Sequence, residues 1–340
     1  MQPKSLIQLK PQQFDIHFPL SDRKLQLGEL KSATQLLSDA PIPDLRKLSS
    51  TELLNDVEVL VTGWGSHVID HDLRQKMPNL KLIAHLAGTV KNHVPQAIAA
   101  SGVQLVSAAS ANARPVAEFT LAHILLHVKG IDDWRRLYRQ DRSKVSTRTS
   151  PLHNLVGNRG RTIGVVGASR IGRLVIEYVQ RHGISVLVHD PFIDEQVIAR
   201  LGATKVTMDE LLQQSDVVSL HQPLLPSTER SFGRAEFEKM RDGALLINTA
   251  RGKIVDTAAL EQAMADGRLC SVIDVTEPEP LNDDSPLWEM NNVKLSPHAA
   301  GALGREVSDL TDLVISEIAR FSRGELLQHE ISVHDWDKVA

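Results

Sequence analysis

Three residues set far apart in this chain carry complementary chemistry. They are Arg251 in "LLINTARGKIVD", Glu279 in "VIDVTEPEPL" and His298 in "PLWEMNNVKLSPHAAG". Each stretch opens with or contains an apolar run of strand length and then presents charged or small residues. In an open parallel sheet, ligands bind at the carboxyl ends of the strands, so the three side chains are expected along one rim. A guanidinium holds a carboxylate through two parallel hydrogen bonds. An imidazole gives or takes the proton of a hydroxyl, and a carboxylate beside an imidazole raises its pKa and orients its ring. Taken singly, one arginine among many, or one of 14 histidines, reads as a surface or structural residue. Their shared placement after strands is what joins them.

A second pattern lies upstream. "GASRIG" (Gly167–Gly172) has the spacing of a dinucleotide-binding turn, G-x-G-x-x-G, with Ser169 at the middle glycine. Gly167 permits the tight turn and Gly172 lets helix and strand pack closely. The middle position lets backbone approach a pyrophosphate, and serine is tolerated there if its φ is negative. "TIGVV" precedes the turn as a strand, and "RIGRLVIEYVQRHG" follows with helical spacing and a stop at Gly183. Asp190 closes the next strand, "SVLVHD", 23 residues after Gly167, where an acid would bind adenosine ribose hydroxyls. This context points to NAD, and the charge of Asp190 disfavours the 2′-phosphate of NADP.

Positioning these residues requires two α/β units. "VEVLVTG", "LKLIAHLAG" and "VQLVSAA" read as buried strands separated by helix-like segments, from about residue 53 onward. The rhythm restarts at "TIGVVG" and continues through "VVSLHQP", "ALLINTA", "SVIDV" and "VKLSPH". "ARPVAEFTLAHILLHVKG" reads as a helix opening at Pro115 and stopping near Gly130, with apolar residues round much of its circumference, as at a domain or subunit junction. The polar stretch from Tyr138 to Arg161 is a tempting but less convincing boundary. Val307, Leu310, Val314, Ile318 and Phe321 give the C-terminal segment one apolar face, with Gly324 as its stop.

Composition narrows the classes. A chain of 340 residues suits two domains. Lys+Arg of 38 against Asp+Glu of 42, with no basic run, gives no case for nucleic-acid binding. No apolar stretch approaches a membrane span, and no secretory leader is evident in "MQPKSLIQLKPQQFD". Cys270 is the single cysteine, set in an apolar run, which fits a reducing, cytoplasmic address. "HVIDH" (His67–His71) imitates a zinc-peptidase pattern, but Gly63, Gly65 and Ser66 precede it and leave His67 in a frayed first turn, so no metal is expected.

Taken together, "GASRIG" with Asp190, "HQP", "NTARGKIVD", the D-V-x-x-x-E-P frame of "DVTEPEP", "SPHAAG" and the helix-opening "NARPVAE" resemble the D-isomer-specific 2-hydroxyacid dehydrogenase family. The resemblance runs from about residue 57 to 323, with the motifs in order. It implies an NAD-dependent oxidoreductase interconverting a 2-keto acid and a D-2-hydroxy acid. Arg251 would bind the substrate carboxylate and keto oxygen, His298 would be the acid/base and Glu279 its partner, with Glu277 as the runner-up. Asp274 would lie near the nicotinamide carboxamide. The cofactor would be held by Gly167, Ser169, Arg170, Ile171, Gly172, Asp190, His221, Pro223, Thr228, Thr249, Ala250 and Gly301.

The implied fold is two doubly wound parallel-sheet domains flanking a cleft that closes over the substrate. A flavodoxin-like substrate domain would take residues 1–111 and 304–340, and a Rossmann cofactor domain residues 112–303. A homodimer would form through the helix after Asn112. The sequence departs from the family where a G-V-G-like turn usually holds the carboxylate; here Ala87, Gly88 and Thr89 stand, which leaves the substrate side chain open. Trp64 fits either a substrate contact or plain packing. An NAD(H)-sensing corepressor, or a dehydrogenase of formate or phosphite, would share the same cofactor domain.

Overall fold

The computed structural model describes residues 2–48, 52–140, 142, 150–333 and 336. Its Cα positions group into two compact units, Met1–Asn112 with Ala302–Ala340, and Ala113–Gly301. Part of the polar stretch from Tyr138 to Arg161, residues 141 and 143–149, lies outside the described residues.

The first unit is built on five parallel strands in the order β2-β1-β3-β4-β5. They are β1 (Lys4–Ile7), β2 (Gln35–Leu36), β3 (Val59–Thr62), β4 (Leu82–His85) and β5 (Gln104–Ser107). Val59 pairs with Leu82 and Leu82 with Gln104, so the apolar runs lie in register and are buried on both faces, as parallel sheets demand. β1 and β2 lie upstream of the alternation that the sequence shows from about residue 53. Strands of four and two residues are too short to declare a period.

One face of this sheet is covered by Phe14, Phe18 and Leu30 together with Val307, Leu310, Val314 and Ile318 of the helix Glu306–Ser322. Each such side chain contributes about 1.5–3 kcal/mol on burial. Leu45, Leu73, Met77 and Ile98 cover the other face. Asp70 caps the helix His71–Gln75 by accepting the Leu73 N–H at 2.8 Å. His67 therefore stands outside the helix, and the two histidines of "HVIDH" share no helical face.

A ring of polar groups is sealed near the carboxyl ends of β1, β3 and β4. His17 stacks on Trp64 with ring centroids 4.7 Å apart, and His85 meets Thr62 Oγ1 through Nδ1 at 2.9 Å. Burial pushes His17 down to about 4. Burial, helped by neighbouring His93 and His17, pushes His85 down to about 3. Both rings are neutral in the folded chain at pH 7, whereas in the unfolded chain they titrate near 6.5.

Below pH 6.5 the unfolded state thus binds more protons. The stabilisation is complete above that pH and is lost as pH falls toward the folded values, at up to about 1.4 kcal/mol per pH unit for each ring. Denaturant unfolding measured from pH 7 to 4 will show a shallower decline for His17→Phe than for the wild type. Parallel curves would contradict the burial of His17 as a neutral ring.

The second unit carries seven parallel strands in the order β12-β11-β10-β9-β6-β7-β8. These are β6 (Thr162–Val166), β7 (Ser185–His189), β8 (Thr204–Lys205), β9 (Val217–Leu220), β10 (Leu245–Asn248), β11 (Cys270–Ile273) and β12 (Val293–Leu295). The direction of winding reverses between β6 and β9, which opens a crevice at their carboxyl ends, the ligand position of doubly wound sheets.

The helix expected to open at Pro115 instead spans Ala109–Val128, and Pro115 lies inside it. Ala109, Ala111 and Ala113 are strong helix formers and carry the helix upstream, at the cost of the one hydrogen bond Pro115 cannot donate. Its buried residues, Ala113, Val116, Ala117, Thr120, Ile124 and Val128, form one stripe, while Leu126 is exposed and Phe119 half-buried. Burial on several sides is therefore not reached within one chain. Among the described residues no helix is long and apolar enough to cross a membrane.

Candidate active site

The turn after β10 is closed by one side chain. Asn248, almost fully buried, accepts the Ala250 N–H on Oδ1 at 3.1 Å and donates from Nδ2 to the Arg251 carbonyl at 2.9 Å. This two-ended clamp fixes Thr249, Ala250 and Arg251. Gly252 follows, and a Cβ there would overlap the Thr276 carbonyl, so only glycine lets this turn lie against the segment leading to Glu279.

Arg251 is half-buried, and its Nη1 donates to the Ala250 carbonyl at 2.6 Å. Among the described residues its guanidinium forms no ion pair. Burial pulls its pKa below the ordinary guanidinium value, and the nearby Glu279 charge opposes that. A cation in this state has donors to spare for an anion.

His298 follows β12. Its Nδ1 donates to Glu279 Oε1 at 2.7 Å. That bond assigns the proton to Nδ1 and leaves Nε2 for exchange with a ligand. It is thus Glu279, and not the runner-up Glu277, whose carboxylate meets the imidazole; Glu277 accepts the Thr257 hydroxyl at 2.7 Å on its backbone carbonyl. His298 also has φ of 56°, a left-handed conformation that costs a non-glycine residue about 1–3 kcal/mol and collects at functional sites. The structure thus joins Glu279 to His298 by a hydrogen bond.

At the β6–β9 crevice, Gly167 has φ of 91° and a Cβ there would fall 2.7 Å from the Gln222 nitrogen. A Cβ on Gly172 would overlap the Gly167 carbonyl. Ser169, at φ −64°, is the N-cap of the helix Arg170–Gln180, its Oγ accepting the Gly172 N–H at 3.3 Å. A negative φ needs no glycine, and the hydroxyl proton stays available to a phosphate. The N–H groups of Arg170 and Ile171, in the first helical turn, have no partner within the helix and suit an anion.

Asp190 Oδ2 accepts the Ala168 N–H at 2.8 Å and Oδ1 the Phe192 N–H at 2.9 Å, which fixes the carboxylate beside the turn with lone pairs remaining for hydroxyls. The close-packed glycines, the helix start and the oriented acid fit a dinucleotide.

The remaining candidates sit along the same edge. His221 is buried, pairs through Nε2 with Ser219 Oγ at 2.8 Å and is pushed down by burial to about 3, so it is a neutral support. Thr228 accepts the Leu225 N–H at 2.8 Å and donates to the Pro223 carbonyl at 2.6 Å, folding the loop after "HQP". Thr249 lies 3.4 Å from Thr120 Oγ1 in a buried hydroxyl pair, and Ala250 is buried beside it. Asp274 is buried, and Gly301 ends the unit.

In the first unit, Ala87, Gly88 and Thr89 follow β4 as expected from the sequence. The Ala87 carbonyl accepts the Ala108 N–H at 3.0 Å, and Thr89 Oγ1 accepts the Lys91 N–H at 3.3 Å. Trp64 packs on His17, which favours the packing reading. Sequence reasoning missed Asn248. The available signal was an asparagine directly before a turn, where its side chain commonly bonds the backbone two residues on.

Comparison with known proteins places these observations in context. Residues 121–300 match the model described as D-isomer specific 2-hydroxyacid dehydrogenase, NAD binding domain. The glyoxylate reductase of Korarchaeum cryptofilum is 31% identical over 277 residues, covering 81% of this chain and 82% of that protein. The D-3-phosphoglycerate dehydrogenase of Methanocaldococcus jannaschii is 29% identical over 91% of this chain, which spans only 56% of that longer protein. Among solved structures, the D-lactate dehydrogenase of Aquifex aeolicus, complexed with NAD and lactic acid, has a TM-score of 0.68. It is 27% identical, with 95% of this chain and 96% of that one covered.

Proposed function

This chain belongs to the D-isomer specific 2-hydroxyacid dehydrogenase family, an NAD-dependent oxidoreductase family, and from that premise we propose that Arg251, Glu279 and His298 carry the interconversion of a 2-keto acid and a D-2-hydroxy acid. A bound nicotinamide would supply or accept the hydride. In the direction of reduction, His298 gives its Nε2 proton to the keto oxygen as the neighbouring carbon is reduced; in oxidation it takes that proton back. Glu279 holds the ring through Nδ1 and offsets the positive charge the imidazole carries when doubly protonated. Arg251 binds the substrate carboxylate through its unused N–H donors. The observation that carries this reading is the 2.7 Å bond from His298 Nδ1 to Glu279, which selects Nε2 as the working nitrogen.

The cofactor roles follow the same premise. Gly167, Gly172 and the N–H groups of Arg170 and Ile171 take the pyrophosphate, and Asp190 the adenosine ribose. Residues 113–301 serve as the cofactor domain, and residues 1–112 with 302–340 as the substrate domain. Ala87, Gly88 and Thr89 offer backbone amides to the substrate. A homodimer is supported by the helix Ile131–Gln140, whose Ile131, Trp134 and Leu137, three residues apart, are only partly buried in one chain. The lone Cys270 supports a cytoplasmic address.

A panel of 2-keto acids differing in side chain, assayed with NADH and with NADPH, tests the reading. One or more acids will be reduced with NADH, with NADPH much the poorer donor because of Asp190. No turnover of any 2-keto acid by a chain that binds NADH would refute it.

A further inference from the structure

We propose that Asp274 is a positioning residue that holds His298 in its left-handed conformation, so that the imidazole keeps its bond to Glu279. The inference rests on His298 being the acid/base and adds the device that aims it. Asp274 directly follows β11 and is 2% exposed. Its carboxylate is engaged by the turn that carries His298. Oδ1 accepts the Ser296 hydroxyl at 2.6 Å and the Ala299 N–H at 2.7 Å, and Oδ2 accepts the Ala300 N–H at 3.0 Å. The Asp274 carbonyl accepts the N–H of His298 itself at 2.8 Å.

A carboxylate has about four acceptor sites, and three are filled here by residues flanking the histidine on both sides. Among the described residues Asp274 has no cation partner, so these donors are what satisfies its buried charge. The two needs are complementary: the charge requires the donors, and the donors keep residues 296–300 wound tightly enough to hold His298 at φ 56°. The Asp274 N–H also donates to the Asn248 carbonyl at 3.0 Å, which ties this clamp to the one beneath Arg251. One acceptor site is left, enough for a single N–H of a nicotinamide carboxamide, so the positioning role and a cofactor contact are compatible.

Two variants of the full chain test this, assayed with NADH and the best 2-keto acid from the panel. Asp274→Asn puts an amide N–H against a turn donor, and Ser296→Ala removes one bond while leaving Asp274 intact. Positioning predicts that kcat falls about 100-fold in Asp274→Asn and several-fold in Ser296→Ala, with the NADH Kd within about threefold in both. The ring-nitrogen chemical shifts of His298, measured without substrate, will lose the Nδ1–H signature in Asp274→Asn and weaken it in Ser296→Ala.

If Asp274→Asn lowers NADH affinity more than about tenfold while kcat and the His298 shifts stay at wild-type values, Asp274 is a cofactor ligand and the proposal is wrong. Should Asp274→Asn fail to fold, Ser296→Ala decides: wild-type kcat and shifts overturn the proposal. Because the shifts are read without turnover, they separate this outcome from a failure of the acid/base assignment, which would leave the shifts responsive and His298→Ala active.

Discussion

His298→Ala will lose about three orders of magnitude in kcat while binding NADH within a few-fold of the wild type. The loss is large because no second group stands ready to take over. Glu279 meets His298 through Nδ1 and acts on Arg251 by charge, so it occupies the far side of the ring from the nitrogen that works. Water can donate a proton to the keto oxygen, but without the orientation the ring supplies. Cofactor binding is spared because the dinucleotide turn, Gly167 to Gly172, is built at the β6–β9 crevice and the histidine follows β12, at the end of the sheet. Stopped-flow kcat together with NADH fluorescence titration separates the two effects. Full turnover on the preferred substrate would remove His298 from the mechanism.

Arg251→Gln will reduce kcat/KM by about 10²–10³, the penalty of about 3–4 kcal/mol for removing one partner of a hydrogen-bonded charge pair. The argument is the state of the guanidinium before substrate arrives. It is half-buried, its pKa is pulled down by burial, and it makes one hydrogen bond of its own, to the Ala250 carbonyl. A cation in that position adds little to folding, so the glutamine variant will melt at or above the wild-type temperature. Arg251→Lys will recover only part of the loss, because an ammonium lacks the planar fork that grips a carboxylate at two points. A variant with unchanged kcat/KM would free Arg251 from substrate binding; one that loses stability in proportion to activity would make it structural.

Two of the strands that present the site, "LLIN" and "CSVI", were legible because they are almost wholly buried and read as mainly apolar runs that end just before the residues of the site. The third, "VKL", lies at the edge of the sheet and is only partly buried, and its two apolar residues flank a lysine. The serine at the middle glycine was legible too, since a helix N-cap at negative φ accepts serine freely. What stayed hidden has specific causes. β1 and β2 are too short for a period, and Pro115 obscured a helix whose alanines begin two turns earlier. His17 and His85 look like any other histidines until the fold seals them. The clamps are the deepest omission. Asn248 and Asp274 act through hydrogen bonds to backbone, and backbone partners leave no mark on side-chain pattern.

A structure of the chain with NADH and oxamate, a carboxylate that resembles a 2-keto acid but does not react, examines the central arrangement directly. The account predicts that the Arg251 guanidinium grips the oxamate carboxylate, that His298 Nε2 lies within hydrogen-bonding reach of the oxamate carbonyl oxygen, and that Nδ1 keeps its bond to Glu279. Oxamate bound with His298 swung off the ligand, or with Arg251 still engaged only by the Ala250 carbonyl, would contradict it.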